Sequence, residues 1–336
     1  MAQLKTIKYK QSWQEAMSDL ITDPAELLDL LQLDPSLLAA AKAATRLFPL
    51  RVPRGFAERM ERGNPNDPLL KQVLPIGAEL LDVPGFTKDP LGEEPANVLP
   101  GLLHKYPGRV LVTPTSACAV HCRYCFRRTF PYEDNNPGSA GWQKIIEYIA
   151  NDPTIHEVIL SGGDPLAVGD PLLAQLSERL ALVPHVKTLR MHTRLPIVLP
   201  ERITDQFIAW AKSVTQQLVI VMHVNHPKEI NPDVILALQR LKPVATLLSQ
   251  SVLLKEVNDD VATLTELSES LFANGVLPYY LHVLDKVEGV AHFDVPLTAA
   301  LQLHESLQNT LPGYLVPRLV REDAGKRAKT LLGAGC

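Results

Sequence analysis

Three cysteines stand within eight residues, Cys118, Cys122 and Cys125, in the order C-x3-C-x2-C. Thiolates so spaced can converge on one compact centre, and soft sulfur ligands favour zinc or an iron-sulfur cluster. On a four-iron cluster three thiolates leave one iron without a protein ligand, and that iron can bind a substrate. Zinc would need a fourth ligand, either His121 or a distant residue, and three unligated core thiols are the plainest alternative. The pattern does not suit a disulfide framework. The chain has 4 cysteines, and bridges call for an even, dispersed set, not three clustered thiols and Cys336.

The cysteines follow a short run of β-branched and apolar residues at 109–113, and five similar runs lie at 157–161, 188–193, 218–224, 244–254 and 278–283. Between them, segments such as SAGWQKIIEYIAND, PLLAQLSERLALV, ITDQFIAWAKS, PDVILALQRLK and ATLTELSESLFANG carry helical periodicity, and PLTAALQLHESLQNTL follows the last run. Six β/α units result. They require parallel strands covered by helices, either as a doubly wound sheet or as a full or partial barrel. In both architectures ligands bind at the C-terminal ends of the strands, which places the cysteine loop where chemistry belongs.

Ahead of these units, residues 13–47 read as short helices, with Asp23 as a cap, Pro24 in the first turn and Glu26 completing a capping-box-like start. Residues 51–99, rich in Pro, Gly and Asp, read as an irregular connection over the surface. The chain has 336 residues, 46% hydrophobic and 21% charged, values of a self-supporting globular protein. A net charge of -4 shows no excess of basic residues of the kind that binds nucleic acid or an anionic membrane. The first residues, MAQLKTIKYKQSWQEAM, lack an apolar leader and no stretch approaches a membrane span, so a cytoplasmic location is expected. Self-association into a homo-oligomer stays open.

Other chemistry-bearing segments end the predicted strands. Ser161-Gly162-Gly163-Asp164-Pro165 follows the second, where paired glycines permit close backbone approach to a ligand or simply turn the chain. His223 and Gln250 end the fourth and fifth; alone, either reads as an ordinary loop residue.

C-x3-C-x2-C ahead of a β/α array resembles the radical S-adenosylmethionine superfamily. The resemblance narrows to the lysine 2,3-aminomutases through NPNDPLLKQVLP, LPGLLHKYPGRVL, CRYCFRRTFP, HVNHP, SQSVLL, PYYLHVLD and GYLVPRL, in order over about 51–329. It implies a partial (β/α)6 barrel at 101–312, an N-terminal helical and irregular extension at 1–100, and a C-terminal cofactor-binding segment at 313–336. It further implies a [4Fe-4S] cluster on Cys118, Cys122 and Cys125, whose open iron chelates S-adenosylmethionine and cleaves it to a 5′-deoxyadenosyl radical. Gly162, Gly163 and Asp164 would meet the methionine amino group, and His223 and Gln250 the adenosyl part.

The same resemblance makes the chain an isomerase that moves the amino group of L-lysine from C2 to C3, giving β-lysine. Lys329 would hold pyridoxal phosphate, since only an amine can exchange an imine with an amino acid; Lys326 is the local competitor. Tyr106 and Arg109 would lie near that cofactor, with Lys105 a further phosphate candidate. Arg127 would clamp the substrate carboxylate with its planar fork, and Asp285 and Glu322 would pair with the distal ammonium. Short length, Glu322 in place of an aspartate and an abbreviated lysine loop resemble the branch that works with a ligase attaching β-lysine to elongation factor P.

Overall fold

The structure, a computed structural model, describes residues 12–131, 135 and 137–333. Cys336, to which the sequence assigns no role, and residues 1–11, which begin the segment read for a leader, lie outside the described residues. Among the described residues ten strands form one sheet in sequence order: β1 (Asn97–Leu99), β2 (Leu102–Tyr106), β3 (Arg109–Val112), β4 (Glu157–Leu160), β5 (Thr188–Thr193), β6 (Gln217–His223), β7 (Thr246–Val252), β8 (Leu277–His282), β9 (Arg318–Arg321) and β10 (Thr330–Leu331).

From β3 to β9 each strand runs parallel to the next, while β1–β3 and β9–β10 pair antiparallel. Long helices, Gly138–Asn151, Asp170–Ala181, Asp205–Ser213, Pro232–Leu241, Val261–Ala273 and Leu297–Thr310, cover the outer face in the order the periodicity predicts. Among the described residues β1 and β10 do not pair, so the sheet is an open, partial barrel rather than a doubly wound sheet. Strand β6 reads LVIVM through its middle because both its faces are covered, as parallel strands under helices must be. Alternation on β5 divides Leu189 and Met191, fully buried in the core, from Arg190 and His192, which face an internal cavity.

The sequence reading departs from the structure in three places. Strands β1, β2, β9 and β10 were not expected, and they extend the sheet beyond the six β/α units. The tight turn Tyr106-Pro107-Gly108-Arg109, with Gly108 at φ +77°, folds β2 onto β3. Residues 51–99 run over the surface only in part: 81–90 are irregular and mostly exposed, whereas Phe56, Leu69, Leu70 and Val73 are fully buried, the last three because Asp67 caps a helical turn at Pro68–Lys71 that drives its apolar residues inward. Asp23 caps the helix Pro24–Leu30 as expected, whereas Glu26 pairs with Arg54 at 2.5 Å. No helix among the described residues is long and apolar enough to cross a membrane.

Candidate active site

A cavity of ≈ 430 Å³ occupies the inside of the partial barrel, and the residues given a cofactor or substrate role from the sequence line it, the competing amine Lys326 excepted. The cysteine loop closes one end. Charged residues in and after the loop pin it: the Arg123 guanidinium, fully buried, donates to both oxygens of Glu79 at 2.9 and 2.5 Å, and Arg128 reaches the same carboxylate at 2.7 Å. His121 also turns away, with Nδ1 bonded to the Pro49 carbonyl at 2.8 Å and its ring stacked on Phe48. Among the described residues no three His, Cys, Asp or Glu side chains are grouped to hold a single metal ion. With its ring engaged by Pro49 and Phe48, His121 is not turned to the three thiols as a fourth ligand for zinc.

Burial pushes the Cys118 thiol well above its ordinary range and Cys125 up to about 11, with the neighbouring sulfurs adding to both. Such thiols become ligands only when a cationic centre supplies the charge they lack, which an iron cluster does.

The loop after β4 is pressed against the cysteine loop. Gly163 N–H donates to the Thr115 carbonyl at 3.1 Å and Asp164 N–H to Ala117 at 2.9 Å. A Cβ on Gly163 would sit 2.7 Å from three backbone atoms of Thr115, Ser116 and Ala117, and Gly162 has φ +111°. Only glycine fits this approach. Asp164 lines the cavity with its carboxylate engaged by backbone and side-chain donors. Its Oδ1 accepts from Leu166 N–H and Thr193 Oγ1, and its Oδ2 from the N–H groups of Arg194 and Leu195, so it ties the ends of β4 and β5 together.

Beneath the cysteines lies a buried polar network. Arg194 donates through Nη1 to the Cys122 sulfur and the Tyr124 hydroxyl, both at 2.7 Å, and through Nη2 to Gln72 at 2.7 Å and Glu229 at 3.0 Å. Burial works against its charge, but Cys122, Tyr124 and Glu229 hold its proton more firmly than usual. The Tyr124 hydroxyl also lies 2.8 Å from His223 Nε2, which fixes that imidazole; burial keeps it neutral.

At the other end, Glu322 follows β9. Its Oε1 accepts from Lys105 Nζ at 2.7 Å and Tyr106 Oη at 2.8 Å, and its Oε2 meets Lys329 Nζ. Burial alone would raise this carboxyl; Lys329 and Lys105 reverse that and hold it far below its ordinary range. Burial, with Glu322 nearby, pushes Asp285 up to about 7. Lys326 is absent from the cavity lining; its side chain is 59% exposed and faces Asp323, which leaves Lys329 as the amine of this loop inside. Arg127 lines the cavity with its fork engaged by Glu93 rather than open.

The residues fit a phosphorylated aldehyde cofactor. Arg109, Arg190 and Arg318 share the cavity with Lys329, and Arg190 Nε, His192 Nε2 and His282 Nε2 are buried without a hydrogen-bond partner among the described residues. Sequence reasoning passed over Glu93, Arg190, His192, Arg194, His282 and Arg318. For His192 and His282 a signal existed, since both lie near the ends of predicted strands.

A family model described as a 4Fe-4S single cluster domain matches residues 106–199. L-lysine 2,3-aminomutase of Escherichia coli (strain K12) is 49% identical over 325 residues, covering 96% of this chain and 95% of that protein. The protein of the same name from Haemophilus influenzae is 47% identical, covering 98% of each. That of Clostridium subterminale is 37% identical over 82% of this chain and 66% of its own length. With nearly half the residues shared along almost all of both chains, the chain belongs to the L-lysine 2,3-aminomutase family, a family of isomerases.

Proposed function

We propose that the chain converts L-lysine to β-lysine with a [4Fe-4S] cluster, S-adenosylmethionine and pyridoxal phosphate, and that the β-lysine goes onto elongation factor P through a separate ligase. The supporting observation is a single cavity with three clustered thiols at one end, the Lys329 amine at the other, and Asp285, Glu322 and Arg127 along its wall. When bound, the cofactors supply a hydrogen-abstracting radical and an aldehyde that carries the migrating nitrogen.

Cys118, Cys122 and Cys125 would each hold one iron and leave the fourth for the sulfonium substrate. Gly162 and Gly163 let backbone groups approach it, while His223, steadied by Tyr124, and Gln250 line the adenosyl side. Lys329 would hold the aldehyde cofactor, with Tyr106 beside it and Arg109, Arg190 and Arg318 as cations for its phosphate. Arg127 would receive the substrate carboxylate, and the acids Asp285 and Glu322 suit a cationic tail and would repel that of glutamate. The barrel wall keeps water from the reacting atoms.

The link to elongation factor P is supported by the sequence motifs and by the matching length of the relatives at 49% and 47% identity. Anaerobic reconstitution with iron, sulfide and pyridoxal phosphate, followed by a reductant and S-adenosylmethionine, should yield β-lysine from L-lysine and nothing from L-glutamate. Zinc in place of iron, or intact S-adenosylmethionine after reduction, overturns the enzymatic reading. Unmodified elongation factor P in cells that make active enzyme and ligase overturns only its destination.

A further inference from the structure

Arg194 is the only cation shown donating to one of the three cysteine sulfurs among the described residues, at 2.7 Å to Cys122, and it is 5% exposed. It belongs to none of the roles above. Its two Nη groups also donate to Tyr124, Gln72 and Glu229, its backbone N–H donates to Asp164, and its Nε is buried without a partner among the described residues, so it is a group fixed by its terminal nitrogens rather than one that swings to a ligand. The contacts are divided between the terminal nitrogens: Nη1 meets the sulfur, while Nη2 meets the Glu229 carboxylate, which N–H groups of Asn225 and His226 hold in place.

We propose that Arg194 is a positioning residue that sets the reduction potential of the cluster on Cys122, and that Glu229 moderates its charge. The inference rests on the reading of Cys122 as a cluster ligand. Reduction of [4Fe-4S]²⁺ to [4Fe-4S]⁺ takes one electron from a low-potential reductant and adds one negative charge to a buried centre. A hydrogen bond and a positive charge at a ligand sulfur stabilise the reduced state more than the oxidised one, and weak screening inside the protein makes the effect large. Arg194 therefore raises the potential, and Glu229, of opposite sign and bonded to Arg194, lowers it.

The test is the midpoint potential of the reconstituted full-length protein, followed by the paramagnetic signal of the reduced cluster in a dithionite titration without S-adenosylmethionine. Arg194→Gln should shift the midpoint to a more negative value, Glu229→Gln to a more positive one, and Arg194→Lys should stay near the parent. A general loosening of the site moves both neutral variants the same way. Shifts of the same sign, or no shift with the cluster intact, overturn the proposal. If Arg194→Gln fails to hold iron, the Glu229→Gln measurement decides, and an unchanged midpoint there overturns it. Failure of the parent to bind about four irons per chain brings down the reading of the cysteines themselves, an outcome seen before any titration begins.

Discussion

Arg127 and Glu93 meet inside the cavity through two parallel contacts, Nε to Oε2 at 2.8 Å and Nη2 to Oε1 at 2.6 Å. The guanidinium also lies 5.0 Å from the centre of the Phe126 ring and 5.7 Å from that of Phe130. A side chain held on so many sides presents a defined edge to a carboxylate. Arg127→Lys keeps the charge but loses the fork, and the KM for L-lysine should rise about tenfold or more, near 1.4 kcal/mol of binding. Glu93→Gln, which weakens the hold on Arg127, should lower kcat/KM by roughly tenfold. Steady-state kinetics on protein of matched iron content checks both, and an unaltered KM in both variants removes Arg127 from the substrate site.

Asp285 predicts a pH dependence. Its carboxyl, pushed up to about 7 by burial and Glu322, carries a proton below that pH and then cannot pair with an ammonium. A bound cation favours the ionised form, so the KM for L-lysine should climb as pH falls from 8 to 6, by at most about tenfold per pH unit. Asp285→Asn should give a high KM that is flat across this window. A parent enzyme with equally flat KM would mean that Asp285 does not receive the substrate tail.

Lys329→Ala should keep the iron and sulfide of the parent yet lose the visible band of protein-linked pyridoxal phosphate. Borohydride treatment of the parent, followed by peptide mass spectrometry, should place the cofactor on Lys329. A label on Lys326, whose side chain is 59% exposed beside Asp323, would displace the assignment.

Gly163→Ala forces a methyl group to within 2.7 Å of backbone atoms of Thr115, Ser116 and Ala117, which cannot move without shifting the cysteine loop. Iron retention after reconstitution should drop below half of the parent's, with a fall of about 1–3 kcal/mol in stability from overpacking. Normal iron content and an unchanged melting temperature would show that the two loops are less closely coupled than the distances say.

Much of this was readable before folding, for reasons tied to particular residues. The strands β3 to β8 announce themselves because each is buried between cavity and helices, so runs such as LVIVM stand out from the amphipathic helices beside them. Strands β2 and β9 do not: LLHKY and RLVR mix charge with apolar residues, since one side of each meets the polar cavity. The cysteines and Lys329 are legible through their chemistry. Arg194 and Glu93 are not, because nothing local says that a charged residue will be covered. Arg194 is buried by partners 72 and 35 positions away, at Cys122 and Glu229. Glu93 sits in a GEEP stretch that looks solvent-facing until Arg127, 34 positions on, folds over it.

Backbone ladders join each strand to its neighbour from β1 to β10, but the span from β9 back to β2 is crossed by the contacts of Glu322 with Lys105 and Tyr106. Parting a few polar contacts is a far smaller event than unzipping paired strands. The barrel thus has a seam closed by side chains instead of by a backbone ladder. The carboxylate that fastens it also touches Lys329, so whatever changes the charge on that amine alters the grip of the fastening.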